Sequence, residues 1–241
     1  MIRVAFLGNP NTGKTTLFNR VCGLRHKTSN YAGTTQEARL GRPKDVEGLP
    51  PTEIIDLPGV YSLELDQSES EICRRVLAGD LAPEGELARA PDVVCVVADA
   101  TNLGRNFLML GEALRRRLPT VLVLNMCDMA GRMGVEIDAP GLSRELGCPV
   151  VRVCARSGEG CEAMPRAMAE ARVSRTTPPG SVEGLEAWAD AMCRAHVKRV
   201  GEGRDRMTDR LDRVFTHPVL GLLVFGLVMS GVFYGIFTVA A

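Results

Sequence analysis

Five short apolar runs, IRVAFL, TEIIDL, DVVCVVAD, TVLVLN and VVRVC, are spaced between Ile2 and Cys154. Between and after them, apolar residues recur every three or four positions. That period predicts helices from Lys14 to about Cys22, near Ser68 to Ala78, through about Arg117, near Ala139 to Leu146, and from about Gly160 to Arg172. Strands apolar on both faces that alternate with helices predict a mostly parallel sheet covered on both sides. The fold class is therefore α/β, doubly wound, with the domain covering residues 1–173. Residues 174–184, with Pro178, Pro179 and Gly180, read as a linker. Residues 185–214 follow as a small helical segment, with one short amphipathic helix from Leu185 to Val200 and another from Asp205 to Val214.

Residues 218–241 break the pattern, because no charge interrupts them. About 20 apolar residues cross the hydrocarbon as a helix, so one transmembrane helix is predicted; a buried core helix, the alternative, would carry a polar stripe. Seven basic against four acidic residues between Arg194 and Arg213 place the preceding domain on the cytoplasmic side.

Composition narrows this only a little. Basic and acidic residues balance at 29 each, so net charge points to neither nucleic acid nor a polyanion. The eight cysteines include no CxxC pair and read as reduced core thiols of a cytosolic protein. The opening MIRVAFLGNP enters a strand directly, so no secretory signal is expected. His26, His196 and His217 lie far apart, and no cluster has metal-ligand spacing.

The chemistry is concentrated in four loops. Gly8, Asn9, Pro10, Asn11, Thr12, Gly13, Lys14 and Thr15 spell GNPNTGKT, a phosphate-binding loop placed where it must be, between a first strand and a helix. Its N–H groups can turn around phosphate oxygens at the helix N-terminus. Lys14 is assigned to the β and γ phosphates and the Thr15 hydroxyl to Mg²⁺, with Thr16 counted in the same nucleotide-binding set. In DLPG, Asp56 is assigned to Mg²⁺ through water and the Gly59 N–H to the γ-phosphate, a contact whose loss on hydrolysis would release the following loop. Asn125 and Asp128, in NMCD after an apolar strand, have the spacing of a guanine reader. The Asp128 carboxylate accepts from guanine N1 and N2, where adenine has no donor; a capping role for Asp128 is the plainer alternative. In Val153–Gly160, the N–H of Ala155, flanked by Cys154 and Arg156, is assigned to guanine O6. The polar stretch Lys27–Ala38 reads as an ordering loop, in which Thr34 or Thr35 reaches Mg²⁺; the residues alone do not separate the two.

With these segments placed, the chain resembles the N-terminal G domain of FeoB-type ferrous iron transporters. GNPNTGKTTLFN, NYAGTT, DLPGVYSL, DATNLGRN, LNMCD, LSRELGCPVV and HPVLGLLVF carry the likeness. The resemblance implies Thr35 as the switch threonine, two residues after Gly33. It gives Asn11 the support of a K⁺ ion, assisted by the backbone carbonyls of Ser29 and Tyr31, so that Asn11, Lys14, Thr35 and Gly59 form the expected catalytic set. Met126 replaces the Lys of the commoner NKxD. Val60 stands where Ras-like enzymes carry a water-orienting Gln, so slow, K⁺-stimulated hydrolysis is expected. The implied cofactors are GTP or GDP, Mg²⁺ and K⁺. The implied partners are the remaining transmembrane part of the transporter or other membrane subunits, a small cytosolic Feo protein and a second copy of the chain.

The function expected is a cytoplasmic GTPase switch coupled to Fe(II) uptake across the bacterial inner membrane. A membrane-tethered regulatory GTPase without transport fits the same motifs. A ribosome-assembly GTPase would need a basic RNA-binding module where this chain has the uncharged stretch.

Overall fold

A computed structural model describes residues 1–23, 26–199, 215, 217 and 220–239. The first unit runs from Met1 to Val200. Its sheet contains β1 (Ile2–Leu7), β2 (His26–Asn30), β3 (Glu37–Gly41), β4 (Thr52–Asp56), β5 (Val93–Asp99), β6 (Pro119–Asn125), β8 (Val150–Arg152) and β9 (Arg172–Val173). The order is β2-β3-β4-β1-β5-β6-β8, with β9 pairing antiparallel to β6. The four central pairings, β4 with β1, β1 with β5, β5 with β6 and β6 with β8, are parallel. Strands covered on both faces bury nearly all their side chains; in β1 residues 4–7 are buried and apolar, and Arg3, also buried, is paired with Glu53 of β4 at 3.1 Å.

The helices are α1 (Lys14–Cys22), α2 (Ser68–Ala78), α3 (Leu103–Arg115), α4 (Cys127–Arg132), α5 (Ala139–Leu146), α6 (Met164–Ala169) and α7 (Val182–His196). Two apolar layers separate across the sheet: Leu110, Leu142 and Phe107 belong to one, Phe6, Phe18 and Met164 to the other. The chain reverses its strand order around β1, which has β4 on one side and β5 on the other. Ligands of such sheets bind in the crevice beyond the strand ends at that point, and the loop Gly8–Gly13 lies there.

Several expectations change. The expected ordering loop Lys27–Ala38 is a hairpin at both ends, with Ser29 opposite Ala38 and Asn30 opposite Glu37. The helix expected from Gly160 to Arg172 is a 3₁₀ turn, Cys161–Ala163, followed by α6. Pro165, tolerated only in a first turn, fixes where α6 starts. Residues 174–184 are strapped down: Ser174 is buried and its hydroxyl donates to the Leu146 carbonyl at 2.7 Å, while Arg115 donates to the Gly180 carbonyl at 2.9 Å. Nor is the following helix a separate segment. Trp188 of α7 meets Phe107 edge-on at 6.5 Å between ring centroids. After α7, β10 (Val197–Arg199) pairs with β7 (Val135–Ile137). The helix expected over Asp205–Val214 lies outside the described residues.

The second unit contains the helix Leu220–Val239, and the Gly221 N–H donates to the His217 carbonyl at 2.8 Å. Among the described residues no helix is long and apolar enough to cross a membrane, so the described structure does not supply the expected span over 218–241. Residues 218, 219, 240 and 241 of that expected span lie outside the described residues.

Candidate functional site

The phosphate end of the site is built by backbone geometry. Gly13, at φ 77°, caps α1 with no side-chain bond, which leaves the first N–H groups of α1 pointing into the crevice. Only glycine fits there, since a Cβ would lie 2.4 Å from Asn125 Nδ2. Two non-glycine residues at the site, Asn11 (φ 65°) and Met126 (φ 61°), also adopt left-handed backbone, a strain characteristic of ligand-holding loops.

Lys14 and Asp56 are both buried and paired, Nζ to Oδ1 at 2.7 Å. Lys14 also donates to the Leu57 carbonyl. The Thr15 hydroxyl donates to the other Asp56 oxygen at 2.8 Å. One carboxylate thus gathers both residues assigned to the phosphates and to Mg²⁺. A hydroxyl and a carboxylate are hard oxygen donors of the kind Mg²⁺ takes, so these residues fit that ion. Below them the buried Tyr31 phenol donates to the Asp56 carbonyl at 3.3 Å. DLPG closes against the loop from the side: the Val60 N–H donates to the Gly8 carbonyl at 3.2 Å, and a Cβ at Gly59 would sit 3.1 Å from Pro10 Cα.

At the base end, Asn125 does structural work on both sides of its amide. Nδ2 donates to the Thr12 carbonyl at 2.8 Å, and Oδ1 accepts from the Ala155 N–H at 2.9 Å. The N–H expected to meet guanine O6 is therefore held by Asn125, which ties the phosphate loop to the loop Val153–Gly160. Asp128 stands at a cavity of about 360 Å³ shared with Cys127, Cys154 and Arg152. The Cys154 thiol and then Arg132 hold its carboxyl below the ordinary value, so it is ionised as guanine reading requires. Arg132 meets Asp128 Oδ2 at 2.6 Å.

The remaining assignments are not gathered here. Gly33, Thr34 and Thr35, the last expected at Mg²⁺, line a cleft with Ser68 and Glu71 of α2, where Thr35 is exposed. Thr34 is committed to a local turn, its hydroxyl donating to the Tyr31 carbonyl at 3.0 Å and accepting from the Gln36 N–H at 3.2 Å. Because the Tyr31 carbonyl also accepts the Thr34 N–H, the carbonyl set assigned to K⁺ does not fit that ion in this arrangement.

Sequence reasoning missed several groups around the site. Glu112 of α3 accepts from the Ser62 hydroxyl at 2.7 Å and from the Leu63 N–H, holding the loop after DLPG. Arg105 lies 4.2 Å over the Tyr61 ring. A buried acid among the apolar positions of a helix was the available signal for Glu112; Arg105 lies in DATNLGRN, which carried the family likeness but no role for this side chain. The stretch DATNLGRN supports the site from behind, with Asp99 accepting from the Thr101 N–H at 2.8 Å and the Ala100 N–H donating to the Asn125 carbonyl at 2.9 Å.

The family described as "Ferrous iron transport protein B", N-terminal part, matches residues 2–168. The chain belongs to this family. The Fe(2+) transporter FeoB of Salmonella typhimurium is 36% identical over 168 residues, which cover 68% of this chain and 20% of that protein. The chain thus spans about a fifth of the length of the curated FeoB relatives it matches. A mutant of S. thermophilus NFeoB bound to GDP superposes with a TM-score of 0.64 at 32% identity, covering 78% of this chain and 68% of that one. The cytosolic domain of L. pneumophila FeoB, at 23% identity, shares the fold with a TM-score of 0.70 over 81% of this chain and 99% of its own.

Proposed function

We propose that this chain is the GTP-binding and GTP-hydrolysing switch of a ferrous iron transporter of the bacterial inner membrane. The observation that carries the reading is the convergence of Lys14 and Thr15 on Asp56, in line with an ionised Asp128 at the base cavity. The FeoB relatives supply iron and the membrane, and the GDP-bound NFeoB supports guanine as the base.

On nucleotide binding, Lys14 would turn from Asp56 to the β and γ phosphates, where its charge matches the leaving-group region. Thr15 and Asp56 would hold Mg²⁺, which supplies charge neutralisation between those phosphates. The Gly59 N–H would donate to the γ-phosphate, and its loop would respond to hydrolysis. Val60, buried and without a polar side chain, cannot orient the attacking water, so turnover is slow. For K⁺ stimulation the Tyr31 carbonyl must first leave Thr34. Equal rates in K⁺ and Na⁺ buffer would remove that ion from the mechanism.

The test is ferrous iron uptake by the full gene product and its Lys14→Ala variant. Uptake lost in the variant, at equal protein level, is expected. Unchanged uptake would break the link between nucleotide and iron.

A further inference from the structure

Arg20 lies on the last turn of α1, well away from the phosphate loop that opens the same helix. Its side chain crosses to the loop Val153–Gly160. Nε donates to the Ala155 carbonyl at 3.2 Å and Nη2 to the Arg156 carbonyl at 2.6 Å. Gly158 stands behind the guanidinium, where a Cβ would come 3.6 Å from Cζ. A guanidinium is a rigid fork whose donors can serve two acceptors at once, which an ammonium cannot reproduce.

The Ala155 peptide is therefore gripped from two directions. Its N–H is held by Asn125 Oδ1 at 2.9 Å and its carbonyl by Arg20. Asn125 in turn holds the Thr12 carbonyl at 2.8 Å, and Thr12 precedes Gly13 and Lys14, where α1 begins. The contacts close a ring: phosphate loop, Asn125, base loop, Arg20, and back along α1. Asn125 is a recognised part of the base motif. Arg20 belongs to none of the nucleotide motifs, yet it is the part of the ring that fixes the base loop to the helix carrying the phosphate and Mg²⁺ residues.

We infer that Arg20 is a positioning residue for nucleotide retention, holding the base loop at the register of the phosphate loop. This rests on the guanine-nucleotide reading above. The Arg156 contact is exposed and the Ala155 contact half-buried, so removing the guanidinium leaves both carbonyls within reach of water and costs the fold little. The base loop then opens more readily, so a bound nucleotide escapes faster, while association, governed by the phosphate end, hardly changes.

The experiment is stopped-flow release of a fluorescent GDP from the 1–241 chain, comparing the parent with Arg20→Ala and Arg20→Lys and recording association rate and thermal midpoint. The expected result is release about five- to tenfold faster in Arg20→Ala, with lysine intermediate, and with association rate and midpoint unchanged. Hydrogen bonds from a charged group that is partly solvated support an effect of that order. Release within about twofold of the parent would overturn the role of Arg20 while leaving guanine binding intact. Faster release accompanied by an equal loss in arginine-to-lysine and a lowered midpoint would also overturn it, since that is general loosening. A parent chain that binds no GDP would overturn the guanine reading itself, and this inference with it.

Discussion

At the phosphate end of the site Lys14 and Asp56 have side chains 8% and 5% exposed and are bonded to each other, whereas at the base end Asp128 is 39% exposed and meets an Arg132 that is 73% exposed. Both pairs are an acid and a base at hydrogen-bond distance, yet they differ in what holds them. Desolvation makes the buried pair expensive to break, because either partner left alone is an uncompensated charge. Solvent screens the surface pair, so each partner can be exchanged at small cost. The difference suits the two tasks. On the nucleotide reading proposed above, the phosphate end would exchange one strong charge pairing for another, and the base end would discriminate by direction of donors and acceptors.

The largest effect expected from this contrast is in Lys14→Ala. It leaves Asp56 buried with only Thr15, and unfolding by denaturant should report a loss of about 3 kcal/mol together with nucleotide binding weakened beyond detection. A stable variant would mean that the pair is not desolvated as described. Next is Gly111→Val on α3, away from both ends. A Cβ there would lie 2.4 Å from Leu185 Cδ1 and 3.0 Å from Trp188, so overpacking should cost about 2 kcal/mol and loosen α7 without altering nucleotide affinity.

A smaller effect concerns pH. The Asp128 carboxyl is held below its ordinary value by Cys154 and Arg132. Its ionised form is complete above the unfolded value, about 3.9, and is lost only as pH falls through the lower folded value. Guanine affinity should therefore show no Asp128 titration between pH 7 and 5, and a calorimetric titration across that window checks it. The smallest effect is that of Arg132→Ala. Breaking an exposed pair at helical i,i+4 spacing should leave GDP affinity within about threefold of the parent; a tenfold change would mean that the base end is less screened than its exposure indicates.

Much of this was legible in the sequence, for definite reasons. The parallel strands were readable because β1, β5 and β6 are apolar on both faces, and α1 because GNPNTGKT demands a helix behind it. The hairpin of β2 and β3 was not, since HKTSN is polar throughout and its pairing is fixed by Ala38, Leu40 and the neighbouring β4. The three-residue strands β7 and β10 are too short to show a period, and their pairing joins α7 to the domain that composition had cut at Val173. Within the site, residue type gave Lys14, Thr15, Asp56 and Asp128 their places. It could not show that Asn125 spends both ends of its amide on Thr12 and Ala155, because that depends on how two distant loops approach. Arg20 and Arg132 carried no motif, and only the path of α1 and the first turn of α4 reveals what they touch.

The most direct test of the account is calorimetry on the 1–241 chain with GDP and with ADP, with Asp128→Asn measured beside it. The account predicts that GDP binds at least about a hundredfold more tightly than ADP, because adenine lacks the donors a carboxylate requires, and that Asp128→Asn removes the preference. Equal binding of GDP and ADP by the parent chain would contradict it, since Asp128 would then not be reading the base.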